Sequence, residues 1–112
     1  MNQVIASHLF LDDHRACSWI RDYVNHFAHP VRLKVLCPLM QGPACVSELV
    51  ESTEERQSTV SQQLKNLLLA GLIEREGRGT RNYYRIADAT IPETMRFLAE
   101  IARQASGSSR HR

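Results

Sequence analysis

No apolar run in this sequence approaches the ~20 residues that a helix needs to cross a bilayer, so no membrane partner is expected. Cysteine is scarce and irregularly spaced, with three residues at Cys17, Cys37 and Cys45. An odd, scattered set does not read as a disulfide framework. The opening stretch MNQVIASHLFLDD carries an apolar patch, but no basic residue precedes it and no small-residue cleavage site follows. A secretory leader is therefore not expected, and the expected location is the cytoplasm. Neither a Ser/His/Asp arrangement nor a carboxylate pair stands out, and GRG at 77–79 is too short for a phosphate-binding loop. No enzyme is expected and no catalytic residue is assigned. Internal repeats and interdomain linkers are also missing, and 112 residues suit one domain with a modest core. That domain is expected over residues 1–105, followed by a disordered tail at 106–112, SGSSRHR.

What the sequence does have is an uneven charge distribution. The net charge is only +2, yet residues 46–55 carry Glu48, Glu51, Glu54 and Glu55 with no base. Residues 56–85 then carry Arg56, Lys65, Arg75, Arg78, Arg81 and Arg85 against Glu74 and Glu76 alone. One contiguous segment is thus strongly basic, which points to an anionic partner.

Periodicity organises the chain around that segment. Ala16, Trp19, Ile20, Tyr23, Val24 and Phe27 fall at helical spacing and predict an amphipathic helix, which residues 4–11 are apolar enough to extend. After AHP, a second helix is predicted from Val31 to about Met40, kinked or shortened by Pro38. A short third helix is predicted over Val46–Ser52. Ser52 and Glu55 match a capping box and predict the start of a fourth helix, which Gly71 ends. LIERE and NYYRI alternate around GRGTR as a β-hairpin, and Pro92 opens a last helix to about Gln104. About five helices with one basic hairpin is the outline of a winged helix-turn-helix, mainly α with a β-hairpin wing.

Within the fourth helix, Val60, Leu64, Leu67 and Leu68 cluster within about 100° and form the expected inward stripe. Ser58, Gln62 and Lys65 lie opposite, flanked by Ser61, with no acid among them. Gln can pair bidentately with adenine, Ser can contact base or phosphate, and Lys can reach guanine or phosphate. Arg78 and Arg81 flank the hairpin turn and are expected to project furthest, towards the DNA backbone or minor groove. Tyr84 and Ile86 are expected to pack inward, whereas Tyr83 can face either way. Arg75 and Arg85 lie nearer the body, where an ion pair with Glu74, Glu76 or Asp88 competes with a DNA contact.

The segments HPVRLKVL, VSELV and STVSQQLKNLLLAGLIEREGRGTRNYYRI together resemble the ArsR–SmtB family of bacterial winged-helix repressors over about residues 26–87. The resemblance implies a homodimer formed by the first and last helices. Such a dimer would bind an inverted-repeat operator in double-stranded DNA and be released by a metal ion, metalloid or thiol-reactive signal. By matching position, Gln57, Ser58, Thr59, Ser61 and Gln62 fall in the recognition segment, and Arg78 and Arg81 in the wing. Family members commonly carry an apolar residue and a glycine in the turn before the recognition helix, where this chain has Thr53, Glu54 and Glu55.

The same resemblance frames what could be sensed. The last helix has no His or Cys, so the family's zinc-type site there is absent. Its Cys-x-Cys site corresponds to Cys45-Val46-Ser47, in which a hydroxyl, a poor ligand for a soft ion, replaces the second thiolate. Cys37 falls at one position of a two-cysteine switch whose partner is missing. It lies at the edge of an apolar stripe, where core packing and sensing both suit it. Cys45 begins a helix, a setting that lowers a thiol pKa, and Cys17 lies one turn after His14. Cys17 and Cys45, with Cys37 as a third thiolate, would suit arsenite or a soft metal ion; oxidation or persulfidation of two thiols is the alternative. No cofactor is otherwise expected. Two rival functions stay open: a protein-interaction winged helix, suggested by the acids at 48–55, and a ligand-independent DNA binder.

Overall fold

The computed structural model describes residues 3–107, and side chains from His8 onward. The elements run α1 (Gln3–Asp12), α2 (His14–Asn25), α3 (Pro30–Leu39), β1 (Ala44–Cys45), α4 (Val46–Thr53), α5 (Gln57–Leu69), β2 (Ile73–Arg78), β3 (Arg81–Ile86) and α6 (Thr90–Ser106). The chain divides into two compact units, one up to Leu33 and one from Lys34, with the division inside α3. Six helices among the described residues exceed the expected five because Asp13 interrupts the first. Its backbone is extended and its Oδ1 accepts from the amides of Arg15 (2.9 Å) and Ala16 (3.2 Å), which caps α2 as a new helix. At the other end, α6 runs to Ser106 and closes at Gly107, and the rest of the expected tail, residues 108–112, lies outside the described residues. Among the described residues no helix is long and apolar enough to cross a membrane.

In the first unit, α2 bears the predicted aromatic face. Trp19 stacks on Tyr23 at 5.2 Å between ring centroids, and Tyr23 meets Phe27 at 5.3 Å. The chain nevertheless buries no residue of α2, and Trp19 stays 60% exposed.

In the second unit, Leu36 of α3, Leu49 of α4, and Val60, Leu64 and Leu67 of α5 are buried with Ile91 of α6. Of these, Val60, Leu64 and Leu67 are positions that helical spacing assigns inward. Pro38 lies in the last turn of α3, which ends one residue later, so shortening rather than a long kink accommodates it. The predicted hairpin is part of a three-stranded antiparallel sheet in the order β1-β3-β2. β2 and β3 pair from Ile73↔Ile86 to Arg78↔Arg81, and the two-residue β1 pairs Ala44↔Tyr84 and Cys45↔Tyr83. Gly71 (φ 77°) ends α5, with the amides of Gly71 and Leu72 donating to the carbonyls of Leu68 and Leu67 at 3.0 Å. That pairing is a Schellman close, and it aims the chain directly into β2.

The capping box expected at Ser52 and Glu55 does not form. Helix α4 continues through Ser52 to Thr53, and Glu54 takes the left-handed conformation at φ 59°. Thr53 is buried, donates from Oγ1 to the Leu49 carbonyl (2.7 Å) and accepts the Glu55 amide (3.3 Å). The Glu55 carboxylate is held by Lys34 Nζ at 3.0 Å instead of reaching back to a cap. Glu54 thus stands where the turn demands positive φ, a conformation that costs a non-glycine residue about 1–2 kcal/mol. Replacing Glu54 with Gly should stabilise the fold by roughly 0.5–1 kcal/mol after the extra chain entropy of glycine is counted. Urea unfolding measures this, and a lower midpoint in E54G would contradict it.

Candidate nucleic-acid interface

Helix α5 presents two chemically distinct faces. Val60, Leu64 and Leu67 are buried, while Gln57, Ser58, Ser61, Gln62 and Lys65 are exposed; Thr59 and Leu68 are half-buried on the shoulders. Arg56 caps the helix without a side-chain hydrogen bond, and the first turn holds no acid. The leading amides therefore remain available, and with the helix dipole they favour a phosphate. On the exposed face Gln62 Nε2 donates to Asn66 Oδ1 at 3.1 Å, one turn further on.

The wing follows from β2 and β3, with Gly79 (φ 64°) providing the tight tip. Arg78 and Arg81 face each other across the ladder beside that tip. Both are exposed, and each guanidinium also contacts a neighbour. Arg78 lies over the Tyr83 ring at 4.5 Å from its centroid, with Nε 3.3 Å from Glu76 Oε2. Arg81 donates to Cys45 Sγ at 3.8 Å. Tyr83 thereby faces Arg78, and Tyr84 packs inward as expected. Arg85 pairs with Glu74 at 2.8 Å. Exposed ion pairs of this kind contribute about 0–1 kcal/mol, so a phosphate can displace the Glu76 carboxylate from Arg78 easily.

Cys45 sits at the junction of these parts. It is the N-cap of α4, buried, and its amide donates to Glu48 Oε1 at 3.0 Å while the Glu48 amide faces its sulfur. This reciprocal box occupies Cys45 and Glu48, where a sequence search for Ser or Thr caps would not look. Ser47 Oγ lies 3.3 Å from Sγ. The Ser47 hydroxyl, and after it the Glu48 amide, hold the thiol pKa below its ordinary value, opposed by burial and by the Glu48 carboxylate. Cys45, Val46, Ser47, Gln57 and Arg81 line one open cleft of about 340 Å³. The structure thus brings together three residues singled out separately in the sequence: Cys45, Gln57 and Arg81.

The other cysteines behave differently. Cys37 is exposed on α3, so core packing does not account for it, and Cys17 is exposed on α2. Among the described residues no group of three His, Cys, Asp or Glu side chains converges to hold a metal ion within one chain. The surroundings of Cys45 also fit a metal poorly, because a guanidinium and a hydroxyl are its neighbours. They fit a reactive thiolate. Asn66 and the contacts made by Tyr83 and Ser47 had no signal in the sequence, since each depends on a side chain turned towards another.

Comparison with known proteins follows the same lines. The sequence model described as bacterial regulatory protein, arsR family, matches residues 29–75. A biofilm growth-associated repressor from Agrobacterium fabrum is 41% identical over 74 residues, 66% of this chain and 63% of that protein. The match therefore spans a little under two thirds of that relative's length. The arsenical resistance operon repressor of Bacillus subtilis is 40% identical over 76 residues, covering 64% of this chain and 72% of the relative. Among solved structures, a homodimeric winged helix-turn-helix DNA-binding domain from Mycobacterium bovis superposes with a TM-score of 0.67 at 26% identity, covering 93% of this chain and 89% of that one. These relatives are regulators, not enzymes. The helix-turn-helix is followed here by a β-hairpin wing, and the chain belongs to the ArsR family of winged-helix transcriptional regulators.

Proposed function

We propose that the protein is a cytoplasmic, dimeric repressor that binds an inverted-repeat operator and is released by a thiol-directed signal at Cys45. The observation that carries the reading is the acid-free outer face of α5, with its uncapped leading amides, in the same unit as the wing arginines. Gln57, Ser58, Thr59, Ser61, Gln62 and Lys65 enter the major groove, and Arg78 and Arg81 take backbone phosphates. The acids of 48–55 argue less for a protein-binding surface than their number suggests. Glu48 is engaged by the Cys45 amide and Glu55 by Lys34.

Dimerisation is supported by apolar faces that the chain leaves uncovered. Trp19 and Val24 of α2 are 60% and 54% exposed, and Phe97 and Ile101 of α6 are 67% and 48% exposed. A second copy would cover them, and the M. bovis neighbour is homodimeric. For release, the lowered thiol pKa of Cys45 and its contact with Arg81 favour a thiolate-reactive agent acting close to the wing. The arsenical resistance relative makes arsenite the first agent to try.

Fluorescence anisotropy with the reduced protein and a selected operator duplex tests the reading. Binding should weaken steeply with salt, and one of arsenite, cadmium, a persulfide donor or peroxide should release the DNA. Cys45→Ser should abolish that release, whereas Cys17→Ser and Cys37→Ser define any co-ligands. Binding that ignores salt would reject the DNA role, and release that survives in C45S would reject the sensor.

A further inference from the structure

On the exposed face of α5, the carboxamide of Gln62 is not a free rotor. Its Nε2 donates to Asn66 Oδ1 at 3.1 Å, and the two residues are one helical turn apart. An unrestrained glutamine gives up rotamer entropy when it is ordered. A glutamine already held in one orientation gives up less on binding, so its contact discriminates more strongly. The geometry also decides which edge remains. A carboxamide has two N–H donors and one carbonyl acceptor. Adenine is read by the carbonyl together with the N–H on the same edge, accepting from N6 and donating to N7. The other N–H, on the far side of the nitrogen, is the one free to meet Asn66. The two contacts are compatible, and the first orients the group for the second.

We propose that Asn66 is a positioning residue for base readout: it holds Gln62 so that its carboxamide edge reads one adenine in each half-site. The proposal rests on the operator-binding reading above. Asn66 itself is half-buried on the shoulder of the helix, set 40° around the axis from Gln62 and nearer the buried stripe, and acts through Gln62.

Operator selected from random duplex, together with its single-base-pair variants, provides the test by anisotropy titration. Wild type should prefer A·T at one half-site position by about 5- to 150-fold. Asn66→Ala should reduce that preference by about 1.5- to 2-fold, the most that an exposed side-chain pair one turn apart on a helix can bias a rotamer. Affinity for random duplex and the salt slope should stay at wild-type values. Asn66→Asp keeps an acceptor for Nε2 and should keep the preference, with weaker binding to all duplexes because of its charge. The Gln62→Ala/Asn66→Ala double variant should discriminate no worse than Gln62→Ala alone. Full discrimination in N66A, or an additive loss in the double variant, would overturn the proposal. So would a loss at a different base pair from that of Q62A, which would make Asn66 a reader in its own right. Failure of wild type to bind any duplex would instead remove the operator-binding reading and this proposal with it.

Discussion

Phe97→Glu should separate the protein into monomers and weaken operator binding by about 10²- to 10⁴-fold, the range over which linking two half-site contacts raises avidity. The size of the effect follows from where Phe97 stands. It is 67% exposed on α6, and Ile101, one turn on, is 48% exposed on the same side. The core contact of the helix is made by Ile91, which is fully buried. A carboxylate at 97 therefore leaves the interior of the monomer intact and places a charge where a second copy would bury an apolar side chain. Sedimentation gives the mass, and thermal melting confirms that the monomer is folded. Phe97→Leu should remain dimeric. A dimer that persists in F97E would mean that α6 lies outside the interface.

Joint replacement of Arg78 and Arg81 by Ala should lower binding to every duplex by a similar factor. The loss is electrostatic. Each phosphate neutralised contributes about 0.9 to the slope of log K against log salt, so losing two contacts flattens the slope by about 1.8. Between 50 and 200 mM salt the wild type should thus lose about 12-fold more affinity than the double variant. Preference among sequences should hardly change, because backbone contacts set position and not sequence. The two single variants should differ. Arg78 is held by Tyr83 and Glu76, both within the wing, whereas Arg81 leans on Cys45, so only R81A alters the surroundings of the thiol. An unchanged salt slope in the double variant would remove the wing from the interface.

Much of this architecture can be read from spacing alone. Of the α5 stripe, Val60, Leu64 and Leu67 are buried and Leu68 is half-buried at its edge, and the alternation in NYYRI correctly turns Tyr84 inward. The Gly71 stop is also local chemistry, set by a residue that accepts positive φ. Features that hid from the sequence are those in which one side chain answers another. Ser52 and Glu55 carry the letters of a capping box, but Lys34, distant in sequence, takes the carboxylate. Cys45 and Glu48 form a box that propensity does not suggest, since cysteine is an uncommon cap. Glu54 occupies a glycine conformation that nothing in its own chemistry announces. At the candidate site, the residue types on α5 were legible because they follow from helix phase. The contacts of Arg81 with Cys45 and of Asn66 with Gln62 were not, because both are choices of rotamer.

The two-residue strand β1 is the smallest element of the fold, yet it changes what the wing is mechanically. An isolated hairpin is a flap that pivots at its base. Here the inner strand of the hairpin is stitched to Ala44 and Cys45, which lead directly into α4. The wing is therefore a bracket, braced by β1 as far out as Tyr83, two residues short of Arg81 beside the tip, and unsupported by it only around Gly79. A displacement of Cys45 would bear on β3 at that point, close to the tip and not at the base of the hairpin.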